Sequence, residues 1–471
     1  MVFYLSRKQI LFKMKNLKLI IIGVLLIVSS GINAQTEKEK KAIDRISTYL
    51  EDSEKNGLTG AMLIAKEGKI LYNEAFGMAD KEANVKNTTK TVFDIGSVSK
   101  QFTATAIIKL EEQGKLKVED ALGKFFDNLP ADKKNITIHQ LLIHSAGIMR
   151  GIGETDFDHI PRDEYFKQLF ATSLIHNPGE KHEYSNAGYS ILARIIELVS
   201  GQSYEAFLSE YLFKPAGMSY TGYLLPKWEN CALANGYSYN VLNTGSMIER
   251  YRRDGKVSWV LMGNGGINST QEDMFKWYLA LRSNKVLSKA GTKKLTTPYI
   301  QEFEGETSYY AYGWVIFKTP RGTDMVAHDG SNATFFYDFR WLPEEDVAIM
   351  YATSSFTSMV GPLAWRVDKM FFDETYTPKK VTKDFVSTLL NFTEEYDGFL
   401  YELLNAMRNE FEGKLDKPFY LNRLSGIYSR NNKPIKAVLI AELNMSLFPN
   451  DGNIWDSLGQ AYYNNGNLNR A

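Results

Sequence analysis

Phe93-Asp94-Ile95-Gly96-Ser97-Val98-Ser99-Lys100-Gln101-Phe102-Thr103 decides the reading of this 471-residue chain. Phe102, Ala106 and Leu110 recur at helical spacing behind it and Gly114 follows as a stop, so a helix is expected to begin at the Ser-x-x-Lys unit. Serine and lysine three residues apart at a helix start share one face, one turn apart. The amine can take the hydroxyl proton and turn the alcohol into a usable nucleophile. Free N–H groups at the helix start favour developing negative charge. Chance alone supplies about one or two Ser-x-x-Lys matches in a chain of this length, so the weight rests on what stands further along. Tyr184-Ser185-Asn186 lies 87 residues beyond Ser97, in a loop ahead of a helix with Ile191, Ile195 and Leu198 on one face. His328-Asp329-Gly330 lies 144 residues beyond Tyr184, where a β-run that begins near Met325 is expected to end.

Working outward, a helix is expected from Ala42 to about Asn56, followed by β-runs Ala61–Lys66 and Lys69–Phe76 joined at Glu67-Gly68, a hairpin signal. Two further β-runs, Phe335–Leu342 and Val347–Thr353, flank the turn Pro343-Glu344-Glu345-Asp346. The opening hairpin and the closing strands can form one antiparallel sheet, with residues from Gln101 to Leu287 as a helical lobe. The three motifs are then free to meet at the seam between sheet and lobe, where pockets commonly form.

Two more stretches stand in the same order: Ile138-His139-Gln140-Leu141-Leu142-Ile143-His144-Ser145-Ala146-Gly147, and Asn264-Gly265-Gly266-Ile267-Asn268-Ser269-Thr270-Gln271-Glu272-Asp273-Met274. With the nucleophile segment they make the region from about Ile43 to Phe372 resemble the serine β-lactamase and penicillin-binding-protein superfamily. The branch it most resembles holds class C β-lactamases, D-aminopeptidases, D-Ala-D-Ala carboxypeptidases and related esterases. The resemblance implies an α+β fold, an antiparallel sheet flanked by helices with a helical lobe. It also implies that Ser97 attacks a carbonyl, Lys100 acts as base and Tyr184 relays protons. Asn186 would orient the substrate's amide or Lys100, His328 would hydrogen-bond the tyrosine or the substrate, Gly330 would let the substrate approach the strand, and the backbone N–H groups of Ser97 and Ser331 would form the oxyanion hole. Where many members carry Lys-Thr-Gly, this chain has His328-Asp329-Gly330. An imidazole holds its charge only part of the time near neutral pH, so an ester or a D-amino-acid peptide or amide is the expected substrate ahead of a β-lactam.

The remaining features narrow the setting. Lys13, Lys15 and Lys18 precede an apolar run, Leu19–Val28, and small residues ending at Ala34, the order of an export signal over residues 1–34, with Met14 as an alternative start. The run is shorter than the roughly 20 residues a spanning helix needs, and no cysteine follows it to carry a lipid. A periplasmic or secreted protein without a stable membrane span is expected. Lys plus Arg equals Asp plus Glu, 55 each, and no basic stripe marks a nucleic-acid partner. Cys231 is the only cysteine, so no internal disulfide forms, and it reads as a small buried residue. The histidines His139, His144, His159, His176 and His182 show no metal-ligand spacing, His144 reads as structural, and the loop Met262–Gly266 lacks the Gly-Lys-Ser/Thr ending of a phosphate loop. No metal or cofactor is expected.

Beyond the hydrolase domain, 35–374, the grammar changes. Leu424 and Leu458, Tyr428 and Tyr462, Asn432 and Gly466, and Ala437 and Ala471 stand 34 residues apart, with Pro449 closing a helix. This is the period of the tetratricopeptide helix–turn–helix unit, expected over 418–471 after a helical linker, 375–417, with one helix from Lys383 to Phe411. The expected function is an exported serine hydrolase acting through a Ser97 acyl-enzyme on a small-molecule or peptide substrate. The alternative is a low-turnover penicillin-binding or sensing protein whose repeat module recruits a protein partner.

Overall fold

The computed structural model describes residues 35–470 apart from 154–157, 229, 254–255 and 333. The run expected as an export signal lies outside the described residues. The central sheet has eight strands: β1 (Gly60–Lys66), β2 (Lys69–Phe76), β3 (Ile300–Gln301), β4 (Tyr309–Tyr310), β5 (Val315–Lys318), β6 (Asp324–Asn332), β7 (Phe335–Leu342) and β8 (Val347–Thr353). Their order is β3-β4-β5-β6-β7-β8-β1-β2, antiparallel throughout. Opening hairpin and closing strands thus meet in one sheet. Glu67 and Gly68 both adopt positive φ, 52° and 72°, the two-residue turn whose twist matches the flanking strands.

Central strands read as unbroken apolar runs because both of their faces are covered. Ala61, Leu63 and Ala65 of β1, with Ala348, Met350 and Ala352 of β8, pack into the helical lobe. Met62, Ile64, Val347, Ile349 and Tyr351 alternate with them and pack against α1 (Glu37–Glu54) and α5 (Leu363–Phe372) on the other face. In the helical lobe on the opposite face lie α2 (Lys100–Glu112), α3 (Asn186–Ser200) and α4 (Gln271–Arg282), which fall between α1 and α5 in the chain. Residues 100–108 of α2 are buried nearly all round, so the helix behind Ser97 is itself core.

Three local expectations are corrected. Residue 328 does not end its strand: β6 runs on to Asn332, because beyond His328 its edge packs backbone to backbone on the turn before α2. Leu198 is 42% exposed, whereas Leu192 and Ile196 join Ile191 and Ile195 in the buried face of α3. The helix expected over Lys383–Phe411 is two, α6 (Phe385–Glu395) and α7 (Leu403–Glu410). They break at Tyr396-Asp397-Gly398-Phe399, where the Tyr396 side chain lies over Gly398 so closely that any Cβ there would strike its ring.

The C-terminal helices are α8 (Pro418–Arg430), α9 (Pro434–Leu447) and α10 (Gly452–Asn464). Helices α6 to α9 share one apolar cluster, which also takes Leu242 from the hairpin Asn235–Ser238/Leu242–Ser246 of the hydrolase. The segment expected as a linker therefore packs as part of this helical unit.

Candidate active site

Ser97 lies on a 3-10 turn, Gly96–Ser99, that leads into α2. Its setting depends on two glycines. Gly96 has φ +51°, and a Cβ on it would sit 2.7 Å from Ser331 N; a Cβ on Gly330 would sit 2.2 Å from Ile95 O and 2.4 Å from Ser97 N. Strand β6 and the nucleophile turn thus touch through bare backbone, which brings the main-chain nitrogens of Ser97 and Ser331 to the same cleft. The Asp94 carboxylate braces the turn, accepting from Gly96 N–H at 2.6 Å and from the Asn332 amide at 3.3 Å.

Lys100 is wholly buried. Its Nζ reaches Ser97 Oγ at 3.1 Å, Asn186 Oδ1 at 2.9 Å and the Asn264 carbonyl at 2.7 Å. All three acceptors are neutral oxygens. Release of one proton leaves a lone pair aimed at Ser97 while the other two N–H bonds stay satisfied. Nζ also lies 4.7 Å from the Tyr184 ring centroid and 5.6 Å from that of Tyr189. Asn186 is placed by the start of α3, where the Ser185 hydroxyl accepts from Gly188 N–H and donates to the Met149 carbonyl. Asn264 is held in the glycine-rich loop by its own amide, which donates to Ser190 Oγ and the Val260 carbonyl.

Burial pushes the Tyr184 phenol well above its ordinary range, and a hydrogen bond with the Ser97 side chain works the other way. Behind Tyr184 packs His144, which has φ 56°, accepts from Ser185 N–H through Nδ1 at 3.1 Å, and lies 4.3 Å ring to ring from Tyr184. Burial and then the Lys100 charge hold His144 neutral.

His328 is buried on the catalytic side of β6. Burial first and the nearby Lys100 charge second push its imidazole down to about 3. The hydrogen bonds assign its tautomer: Nδ1 donates to the Asp329 carbonyl at 2.5 Å, and Nε2 accepts from the Tyr310 hydroxyl at 3.0 Å. One expectation is corrected here: the imidazole is neutral and holds no partial charge near pH 7. The hydroxyl it bonds is that of Tyr310, and the Tyr184 ring centroid stands 6.5 Å from its own.

Ser97, Lys100, Tyr184, Asn186, His328, Gly330 and Ser331 therefore converge on one cleft. Tyr310, the Asn264 carbonyl and Arg150, whose guanidinium lies 5.8 Å from the Tyr184 ring, complete it without having been singled out. Asn264 stood inside a quoted landmark, but its backbone role has no sequence signature. Tyr310 sits on a two-residue strand that no motif marks. Ser97 separates two hollows: one of about 400 Å3, reaching Val260, Leu261 and Asn332, and one of about 390 Å3, reaching Asp329, Arg340 and Trp365. Cys231 lines neither; contrary to expectation it is only half-buried, and partial desolvation raises its thiol. Among the described residues no group of three or more His, Cys, Asp or Glu side chains is placed to hold a metal.

A Ser-Lys nucleophile pair beside a Tyr-x-Asn loop, at the seam of an antiparallel sheet and a helical lobe, defines a serine hydrolase of the penicillin-binding type. Residues 40–369 match the Beta-lactamase family, and the chain belongs to it. It is 32% identical over 288 residues to the putative penicillin-binding protein PbpX of Bacillus subtilis, covering 60% of this chain and 68% of that one. It is 28% identical over 296 residues to a teichoic acid D-alanine hydrolase of Staphylococcus aureus, covering 61% and 68%. The octameric penicillin-binding protein homologue from Pyrococcus abyssi superposes with a TM-score of 0.57 at 26% identity, over 66% of this chain and 73% of that one.

Proposed function

We propose that the chain is an exported hydrolase that cleaves an ester or a D-amino-acid peptide or amide through a Ser97 acyl-enzyme. The observation that carries this reading is the 3.1 Å contact of Lys100 Nζ with Ser97 Oγ, made by a lysine whose two other contacts hold it in place. Lys100 takes the hydroxyl proton as Ser97 Oγ attacks the carbonyl carbon. The N–H groups of Ser97 and Ser331 hold the oxyanion. Tyr184 relays that proton from Lys100 to the leaving group as the bond to carbonyl carbon breaks; water then adds to the acyl carbon, and its proton returns to Ser97 Oγ as the acyl–oxygen bond breaks. Neutral His328 supplies no fixed positive charge for a β-lactam carboxylate, which places β-lactams behind the other two classes. The relative whose name carries D-alanine hydrolysis points the same way.

The basic, apolar and small-residue order of residues 1–34 supports export, and no described helix is long and apolar enough to cross a membrane. The C-terminal unit reads as tetratricopeptide-like, a surface for a protein partner. In support, α8 and α10 begin 34 residues apart and end 34 residues apart, and Leu424, Leu458, Tyr428 and Tyr462 are all buried.

Incubation with a fluorescent penicillin and with a fluorophosphonate, followed by mass spectrometry, tests the reading, with Ser97→Ala as control. An adduct on Ser97 that turns over is expected. No adduct with either probe sinks the enzyme, and a penicillin adduct lasting hours favours the sensing alternative.

A further inference from the structure

Strand β6 turns a second chemistry toward the hollow that runs from Ser97 over the strand to Trp365. Asp329, solvent-accessible through that groove, stands directly opposite Asp338 of β7. Like charges so placed repel. Asp338 is matched: Arg340 donates to both its oxygens, at 2.9 and 2.6 Å. The same guanidinium lies 3.8 Å from the Trp365 ring centroid. Arg340 is 2% exposed, and its Nη1 is buried with no acceptor among the described residues. A third carboxylate, Glu302, lines the groove. Partial desolvation in the groove and then the Asp338 charge push the Asp329 carboxyl up to about 6, and desolvation raises Glu302 as well.

Three carboxylates against two guanidiniums, Arg340 clasped on Asp338 and Arg150 at the Ser97 end of the hollow, leave the groove with surplus negative charge, next to a buried Arg340 N–H with no acceptor among the described residues. An anionic substituent would be repelled, and an apolar one would desolvate Asp329 without replacing its water. A protonated amine relieves both the Asp329–Asp338 repulsion and the desolvation. We propose that this groove is the acyl-group subsite and takes substrates whose acyl part carries a protonated amine, seated on Asp329 and Glu302, with Arg340 Nη1 donating to a substrate oxygen. The inference rests on Ser97 as the acylated residue. Asp329 and Glu302 then set specificity and take no part in bond making.

Matched 4-methylumbelliferyl esters test this: D-alanyl and β-alanyl against propionyl, and 4-aminobutanoyl against butanoyl. The reading is the ratio of kcat/KM for each aminoacyl ester over its deaminated partner, which a general loss of activity does not move. At least one ratio is expected to reach about tenfold at pH 7.5 and to fall to about twofold or less in Asp329→Asn. Glu302→Gln, at the rim and less exposed to folding effects, should lower the same ratio part of the way. The proposal is overturned if no aminoacyl ester is preferred, or if Asp329→Asn leaves the ratio unchanged. If Ser97→Ala still hydrolyses the propionyl ester, the acyl-enzyme reading fails instead, and that outcome is distinct.

Discussion

His328 and Asp329 are neighbours in the chain and face opposite sides of β6, and both are pushed toward neutrality: the imidazole down to about 3 by burial and the Lys100 charge, the carboxyl up to about 6 by partial desolvation in its groove and the Asp338 charge. Their surroundings differ in another way. Five hydrogen bonds around His328 and Lys100 go to neutral groups: two carbonyls, an amide oxygen, two hydroxyls. Around Asp329 negative charges outnumber positive ones, and Arg340 Nη1 has no acceptor among the described residues. A closed set of neutral partners lets a proton move without stranding a charge, as a general base requires. A surplus of charge in a groove is a demand for a ligand. Burial alone separates the two poorly; the charge of the neighbouring groups separates them well.

The largest effect should come from the closed side. Ser97→Ala is expected to lower kcat by about 10⁴-fold or more. Lys100→Arg keeps the positive charge but cannot give up a proton, so a loss of about 10³-fold is expected. Steady-state ester hydrolysis together with adduct mass on Ser97 measures both. A Lys100→Arg enzyme near wild-type rate would remove the proton-transfer role and, with it, the contrast between the two sides.

Gly330→Ala tests the backbone contact on which both sides hang. Its Cβ would land 2.2 Å from a carbonyl oxygen and 2.4 Å from Ser97 N, neither of which is a flexible side chain. The strand must move away from the turn, which costs about 1–3 kcal/mol of stability and misplaces one of two oxyanion donors, worth roughly 10²-fold in kcat. Thermal melts and kcat read the two parts separately. A kcat that stays within a few-fold while the melt drops would mean that Ser331 N is not an oxyanion donor.

Much of this was legible beforehand, and the reasons are specific. The hairpin at Glu67-Gly68 and the strands Phe335–Leu342 and Val347–Thr353 carry local signals, turn residues and apolar runs, and are found as read. Ser97, Lys100, Tyr184 and Asn186 stand in motifs whose order survives in the chain. The Asn264 carbonyl and Tyr310 do not, because a backbone acceptor leaves no residue preference and a partner on a two-residue strand leaves no period. The His328 charge state was misread for a related reason. Residue type gives an imidazole its ordinary range near 6.5, whereas burial beside Lys100 is a property of the folded site. The single helix expected over Lys383–Phe411 ends at Glu395, where Tyr396 turns extended ahead of Gly398, a poor helix former that apolar spacing alone does not weigh.

A smaller effect follows from His328 through linkage. Its imidazole is held neutral in the fold down to about 3, while an unfolded histidine takes up its proton near 6.5. Between those values the unfolded chain binds the extra proton, so this contribution to stability is full above about pH 6.5 and is lost as pH falls toward 3, at about 1.4 kcal/mol per pH unit at most. In His328→Gln that slope should flatten. Urea melts at pH 4.5 and pH 7 on both proteins measure it, and parallel pH dependence in the two would show that His328 is charged in the fold.

The smallest effect belongs to Tyr310, whose hydroxyl is the only donor to His328 Nε2 among the described residues. Tyr310→Phe keeps the ring, which packs edge-on 4.5 Å from His144, and removes one hydrogen bond to a neutral acceptor. That bond is worth about 1 kcal/mol. The Asp329 carbonyl still holds Nδ1–H, so the tautomer should persist and kcat should fall only a few-fold. Ring-nitrogen NMR shifts distinguish the outcomes. An Nε2 signal that stays that of an unprotonated nitrogen at pH 7 confirms that the Asp329 carbonyl and burial fix the proton. A shift to the imidazolium pattern would instead make Tyr310 the residue that keeps the catalytic side of β6 uncharged, and the difference between the two sides of the strand would then rest on a single phenol.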